Sequence, residues 1–177
     1  MKKFIIITLA VIIGILLVVA IFGSVTTGRS LDECFFGACC GILYLAGRSL
    51  GFTYKEICVI VNIYLEAGLC LLSALWVTWT SIKGFIHHKT LGSSLLMASG
   101  FVYGLAYIVG FLWICQHYAM PMNEAFDLCY RELIQLAKEY HTTYNNVNYA
   151  IFILSFLVIT IGNTLLVKLL ETCHSSN

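Results

Sequence analysis

The sequence predicts an all-α integral membrane protein with four transmembrane helices and two short interfacial or amphipathic helices. Hydrophobic residues make up 60% of the 177 residues and charged residues only 11%, whereas soluble domains carry about 25% charged residues. Four predominantly apolar runs are long enough to cross a bilayer as helices. Two shorter segments with helical periodicity lie between them. We therefore expect a single membrane domain over residues 1–177.

Composition also limits the function. The net charge is +1 and no run of Lys or Arg occurs, so the lipid bilayer rather than nucleic acid is the expected partner. The eight cysteines include no C-x-x-C pair and no Cys/His spacing typical of zinc, so we expect neither a metal nor a cofactor. The sequence contains no Ser-His-Asp order, H-E-x-x-H motif or phosphate loop. We therefore assign no catalytic residues and favour a non-enzymatic function.

The first predicted span covers residues 4–22 and follows the basic pair Lys2-Lys3. A positive start before an apolar run also fits a cleaved signal peptide. However, this run is longer than a usual signal-peptide core, and residues 23–27 contain no A-x-A cleavage site. We therefore favour a transmembrane helix that is retained.

Three further spans are predicted, over residues 57–79, 95–115 and 147–167. Trp76 and Trp79 end the second span, and aromatic residues commonly mark the boundary between water and lipid. The polar residues after the second span predict a turn over residues 80–90, and those after the last span predict a short polar tail over residues 168–177.

Two short helices are predicted outside the spans, over residues 31–48 and 123–140. The first begins with Ser30 and Glu33, which form a capping box, and its apolar stretch is too short to cross a bilayer. The second has apolar and charged residues on opposite faces and is amphipathic. Its apolar face is the expected surface for a protein partner or a second copy of the chain, and it contains Phe126, Leu133, Leu136 and Tyr140.

The two halves of the chain resemble each other in the order of their elements. Thr53-Tyr54 precedes the second span and Thr143-Tyr144 precedes the last, 90 residues later. Each half consists of a span, a short helix and another span. This order predicts a parallel tandem repeat of residues 1–80 and 91–171. A chance resemblance between two helical hairpins is the alternative, because short apolar segments align easily.

The orientation in the membrane depends on Lys2 and Lys3. Basic residues divide evenly between the two sides of this arrangement, so the pair ahead of the first helix decides the orientation under the positive-inside rule. We expect both termini in the cytoplasm and both short helices outside. The composition favours a bacterial cytoplasmic membrane.

Polar residues inside the spans are the first candidate site. Glu66 and Asn62 lie four residues apart on one helical face, and Asn163 lies near the far end of the last span. A carboxyl group at this depth predicts a site for a proton or a cation, because bare lipid penalises it heavily. The alternative is a neutral Glu66 that is hydrogen-bonded to a neighbouring helix. Gly100 and Gly104 form a G-x-x-x-G pair, which indicates close helix packing.

Cysteines near the short helices are the second candidate site. Cys34, Cys39, Cys40 and Cys129 could pair in an oxidising compartment, for example as a Cys34–Cys129 bridge, or remain structural thiols. In its size, four spans and outward thiols the chain resembles the bacterial inner-membrane quinone oxidoreductases that form disulfides. That family carries a C-x-x-C pair in its first outer loop, whereas Cys39 and Cys40 are adjacent here. The resemblance implies thiol redox chemistry.

Three functions follow from these observations. The preferred one is a non-enzymatic membrane protein that acts as a subunit or partner-binding component of a membrane assembly. The first alternative is a small transporter or channel, coupled to protons or cations and centred on Glu66. The second alternative is a membrane thiol redox protein.

Overall fold

The computed structural model describes the backbone of residues 2–88 and 90–175 and the side chains of residues 14–87 and 90–172. Within these ranges the chain is all-helical. The elements are α1 (Lys2–Thr27), α2 (Leu31–Leu50), α3 (Tyr54–Cys58), π1 (Val59–Leu65), α4 (Glu66–His88), α5 (Leu91–His117), α6 (Met122–Glu139), α7 (Tyr144–Asn148), π2 (Tyr149–Leu154) and α8 (Ser155–Ser175). The segments π1 and π2 are π-helical turns inside longer continuous helices.

Three helices are long and apolar enough to cross a membrane: Tyr54–His87, Leu91–His117 and Tyr144–Thr172. The prediction of an all-helical chain with helices long and apolar enough to span a membrane is therefore confirmed. The predicted span over residues 4–22 lies in α1, but the side chains of residues 1–13 are outside the described part of the chain. The part of α1 with described side chains, Gly14–Thr27, is a shorter apolar helix.

The second and last spans are longer than predicted. The turn expected over residues 80–90 is wrong, because α4 continues to His88. Thr80 and Ser81 donate hydrogen bonds to the carbonyls one turn earlier, at 3.0 and 3.1 Å, so their hydroxyl groups need no water. The polar tail expected from residue 168 is helical as far as Ser175, since Leu170 packs in a buried cluster with Val77 and Val167.

The three spans form the centre of the molecule, in which α4 packs against α5 and α8. Within the described residues, α1 packs mainly against α2. Ala20 of α1 is completely buried, and Gly23 lies next to Cys34 of α2. α1 is thus attached to the spans chiefly through α2.

Both short helices lie at the same end of the three spans. α2 contacts α3 and α7, and α6 contacts the same two helices. The apolar face of α6 is covered by this packing, because Ala125 is buried with Val59 and Ile63 of π1. Lys55 forms an ion pair with Asp127 at 2.6 Å on the exposed rim. We call this end of the molecule the capped end.

The helices that start at the capped end begin in the same way. The hydroxyl oxygens of Thr53 and Thr143 each accept a hydrogen bond, at 3.3 Å, from the backbone N–H three residues later. Such N-caps satisfy backbone donors that have no partner inside the helix. A five-residue α-helix follows each threonine and leads into π1 or π2. Both π segments therefore lie at the same distance from their caps.

Candidate functional site

A cavity of about 520 Å³ lies between the three spans and α6. We call it the Glu66 cavity. Its walls are predominantly apolar and aromatic. The polar and sulfur-containing side chains that line it are Asn62, Glu66, Cys70, Tyr107, Tyr118, Cys129, Glu132 and Ser155. A few polar groups in a mainly apolar cavity of this volume are typical of small-molecule binding sites.

Within the described part of the chain, two charged residues line the Glu66 cavity, and both are acidic. Glu132 on α6 has partners: one carboxylate oxygen lies 2.8 Å from His117 Nε2, and the other accepts a 2.6 Å hydrogen bond from the Tyr118 hydroxyl. Burial and this hydrogen bond raise the pKa of Tyr118. Glu66 differs, because its half-buried carboxyl group has no hydrogen-bond or ion-pair partner among the described residues. It is therefore the carboxyl group in this cavity that remains open to a ligand.

A regular stripe of residues leads to Glu66. Tyr54, Cys58, Asn62 and Glu66 follow one another at four-residue intervals. Asn62 and Glu66 line the Glu66 cavity, and Tyr54 and Cys58 line a smaller cavity beside it. In a regular α-helix such a series drifts around the axis. A π turn contains more residues than an α turn, so π1 counteracts the drift and keeps the series on one face. π segments occur frequently at functional sites.

A smaller cavity of about 110 Å³ lies between the Glu66 cavity and the capped end. Four cysteines from three helices line it: Cys39, Cys40, Cys58 and Cys129. We call it the thiol cavity. It shares Asn62, Glu66 and Cys129 with the Glu66 cavity, so the two cavities adjoin each other. The sequence prediction omitted Cys58, although its position four residues before Asn62 places it on the same helical face.

The thiols of Cys39 and Cys129 are not activated for reaction. Burial, and then the neighbouring Cys40, raises the pKa of Cys39. Burial raises the pKa of Cys129 to about 11, although a hydrogen bond with Tyr118 works in the opposite direction. No Lys, Arg or His is found among the described residues that line this cavity, and a nearby cation is what normally lowers a thiol pKa. Cys39 and Cys129 are therefore protonated at neutral pH.

The remaining predicted cysteine lies elsewhere. Cys34 packs against Gly23 of α1 and is not among the residues that line either cavity. All cysteines that the structure describes are free, and the suggested Cys34–Cys129 bridge is not formed. The structure thus brings together Cys39, Cys40 and Cys129 but leaves Cys34 apart.

Asn163 lies in a different polar site. Its side-chain amide donates to the Ser73 hydroxyl at 2.8 Å and accepts from the Tyr103 hydroxyl at 2.6 Å. These bonds join α8 to α4 and α5, and Asn163 is only 4% exposed. All of its neighbours are paired, so this site acts as a structural connection between the spans.

Gly100 and Gly104 lie at the contact between α5 and α4 of the same chain. A Cβ atom at Gly100 would lie 2.7 Å from Ser81 Oγ, and one at Gly104 would collide with the Thr78 side chain. The close approach also lets Thr78 donate a 2.8 Å hydrogen bond to the Gly100 carbonyl. The glycine pair thus packs against α4 of the same chain.

The four residues of the predicted partner surface have different environments. Leu133 is 4% exposed in a cluster with Ala137 and Val147, and Leu136 packs against that cluster. Phe126 packs against Ala125 and the start of the second span. Tyr140 is the exposed member, at 74%. Most of this apolar face therefore contacts the protein's own helices.

The chain has no recognised relatives in three comparisons: no protein-family model matches it, and neither a curated protein nor a solved structure shows significant similarity to it.

Proposed function

We propose that this membrane protein is a non-enzymatic binding protein that takes a small, predominantly apolar molecule into the Glu66 cavity. The observation that carries the proposal is a half-buried carboxyl group that has no partner among the described residues and faces a cavity of about 520 Å³. Ligand sites commonly measure about 300–1,000 Å³ and hold a few polar groups within apolar walls. Both π segments border the cavity, which is consistent with a functional site.

The test uses Nile red, a neutral apolar dye whose emission increases in apolar surroundings. We expect saturable binding to the full chain in phosphatidylcholine nanodiscs, above the signal of empty nanodiscs. Gly110 lines the cavity, and a Cβ atom there meets nothing within 4 Å. Gly110→Leu should therefore fill the cavity without a clash and weaken binding about tenfold or more.

Gly162→Leu is the matched control. Gly162 also lies inside a spanning helix with nothing within 4 Å of a Cβ atom, but it lines neither cavity. This variant should bind Nile red like the unmodified chain. A lack of saturable binding, or equal loss in both variants, would contradict the proposal.

We further propose that α1 is a fourth span and that both termini are cytoplasmic. α1 covers Lys2–Thr27, a length of about 39 Å at 1.5 Å per residue. Lys2 and Lys3 support a cytoplasmic start, and a bacterial cytoplasmic membrane remains the proposed location. An impermeant thiol reagent should then label Arg29→Cys but not Leu91→Cys in intact cells, each in a cysteine-free background. The opposite pattern would reverse the orientation.

The tandem repeat of residues 1–80 and 91–171 is also a proposal, and the stripe that leads to Glu66 supports it. Ninety residues later, the corresponding positions hold Tyr144, Asn148, Phe152 and Phe156, and all four line the same two cavities. The capping threonines and the π segments share this separation. In this interpretation the second copy has Phe156 at the position of Glu66, so the two halves contribute one carboxyl group at this position of the shared cavity.

Thiol redox chemistry is a second candidate function, favoured by the four cysteines of the thiol cavity. Two thiols would lose two protons and two electrons as an S–S bond forms, and a two-electron acceptor dissolved in the bilayer, such as a quinone, would take both electrons. The adjoining Glu66 cavity offers space for such an acceptor. The high pKa of Cys129 weighs against rapid reaction. Unchanged disulfide formation in cells carrying Cys39→Ser and Cys40→Ser would eliminate this candidate.

Coupled transport and subunit assembly are the remaining proposals from the sequence. Transport through Glu66 requires that Glu66→Gln abolish ion flux in proteoliposomes while the protein still folds. Subunit assembly requires a surface other than Leu133, which is buried. The exposed apolar faces of α5 and α8 suit lipid or a partner equally well. A partner that is lost on Tyr140→Lys but kept in the unmodified chain would support assembly.

A further inference from the structure

We propose that the ligand of the Glu66 cavity is a lipophilic amine, whose protonated nitrogen pairs with the Glu66 carboxylate. This inference rests on the proposed function and specifies the chemical class of the molecule that binds. Three features of the cavity support it: the sign of the charged residues that line it, the carboxyl group of Glu66 with no partner among the described residues, and the aromatic walls.

The charges of the cavity select the charge of the ligand. Among the side chains that the structure describes, no Lys, Arg or His lines the Glu66 cavity or the thiol cavity. An anionic ligand would meet Glu66 and Glu132 with no cation to compensate it, and buried charges without a partner are very unfavourable. A protonated amine instead supplies the partner that Glu66 does not find among the described residues.

Glu66 is the carboxyl group that is free for this role. Glu132 already accepts a hydrogen bond from Tyr118 and lies 2.8 Å from His117 Nε2. Glu66 has no such partner among the described side chains. A hydrogen bond between an ammonium group and a carboxylate is about twice as strong as one between neutral groups, so Glu66 should dominate the recognition of the amine.

The walls favour the same class of ligand. Aromatic rings line the cavity on α5 and on the last span, at Tyr107, Phe111, Trp113, Phe152 and Phe156. The face of an aromatic ring attracts cations, and the rings also cover the apolar body of a ligand. A molecule with a small ammonium head and an aromatic or aliphatic body matches both requirements.

The experiment compares three naphthalene probes of similar size and different charge: 2-(2-naphthyl)ethylamine, 2-(2-naphthyl)ethanol and 2-naphthylacetate. Each probe displaces Nile red from the full chain in phosphatidylcholine nanodiscs at neutral pH. We expect the amine to bind about tenfold or more tightly than the alcohol, and the carboxylate to bind most weakly. Glu66→Gln should reduce the advantage of the amine over the alcohol to less than about threefold.

Glu132→Gln is the control for a general effect of negative charge. This variant removes a carboxylate from the same cavity, but one that already has partners, so the preference for the amine should survive. Equal binding of the amine and the alcohol, or an amine preference that survives Glu66→Gln, would overturn the inference. In either case binding of Nile red would leave the proposed function intact. If Nile red itself does not bind, the proposed function and the inference both fail.

Discussion

Two polar sites inside the spans, around Asn163 and around Glu66, differ in whether their polar groups have hydrogen-bond partners. Around Asn163 every polar atom has a partner, and the helices are in close contact at Gly100 and Gly104. Around Glu66 the helices separate, a cavity opens, and the carboxyl group has no partner among the described residues. Both sites looked alike in the sequence, as isolated polar residues within apolar runs.

The difference indicates which polar residue holds the fold together and which is available for a ligand. A hydrogen-bonded polar group between helices stabilises their packing modestly. A carboxyl group without a partner contributes nothing to packing and is unfavourable in an apolar environment. The comparison therefore assigns structure to Asn163 and binding to Glu66, and the variants of Gly104, Asn163 and Glu66 test this division directly.

The largest effect is expected for Gly104→Val, at the tight contact between α5 and α4. The new side chain would collide with Thr78, and overpacking of this kind costs about 1–3 kcal/mol. Titration with a denaturing detergent measures the free energy of unfolding. Gly162→Val, where a Cβ atom meets nothing within 4 Å, should change that free energy by less than about 0.5 kcal/mol. An equal loss in both variants would show that the close contact is not needed.

Asn163→Leu should destabilise the protein, and Glu66→Gln should not. The first change removes two interhelical hydrogen bonds, which average about 0.6 kcal/mol each in membrane proteins, so we expect a loss of about 1 kcal/mol. The second change breaks no hydrogen bond between described residues, and the free energy of unfolding should stay within about 0.5 kcal/mol. If Glu66→Gln were the more destabilising change, Glu66 would belong to the structural class.

The alkylation rate of Cys129 tests the environment between the two cavities. Because burial raises its pKa to about 11, the thiolate fraction should rise about tenfold per pH unit from pH 7 to 10. In the unfolded chain the pKa is near the usual value of about 8.5, and the rate should level off above pH 9. The higher nucleophilicity of a more basic thiolate offsets part of the difference. Alkylation at pH 8 should therefore be about tenfold slower in the folded protein.

Mass spectrometry of the peptide that contains Cys129 measures this rate with iodoacetamide. If the alkylation rate of the folded protein reached a plateau near pH 9, the Cys129 thiol would not be buried as the structure describes. The thiol redox candidate would then gain support, because a more acidic thiol reacts at neutral pH.

The smallest effect is expected for the ion pair on the rim of the capped end. Lys55 and Asp127 lie 2.6 Å apart, but their side chains are 42% and 56% exposed, and exposed pairs contribute about 0.2–1 kcal/mol. Asp127→Asn should reduce the free energy of unfolding by no more than about 0.5 kcal/mol. A double-mutant cycle with Lys55→Met measures the interaction itself. A coupling larger than that of the Asn163 hydrogen bonds would reverse the order proposed here.

Much of the secondary structure could be predicted from local pattern. The short helices were placed within two residues of their observed ends, because capping residues and amphipathic spacing are local signals. The ends of the long helices were harder to predict. Thr80 and Ser81 suggested a turn, yet their hydroxyl groups bond within the helix. Both residues are also buried, and that burial depends on neighbouring helices rather than on local sequence.

The candidate site was predictable only in part. Glu66 and Asn62 were identified because an ionisable group in an apolar run is conspicuous. Cys39, Cys40 and Cys129 were identified as one candidate group, but Cys58, which lines the same cavity, was omitted, since these cysteines come from three helices and are separated by up to 90 residues. Neither the four-span count nor the repeat is tested by the described residues, and both stay predictions.

By itself the sequence determined the helical class, the presence of helices apolar enough to cross a membrane, and the carboxyl group within one of them. Hydrophobicity and helical periodicity can be read from residues that are close together in the sequence. The tertiary structure decided which polar residues found partners. Asn163 meets Ser73 and Tyr103, whereas Glu66 meets a cavity. The physical reason is that a hydrogen bond depends on groups within about 3 Å in space, and in a helical membrane protein such groups are supplied by helices that are distant in sequence.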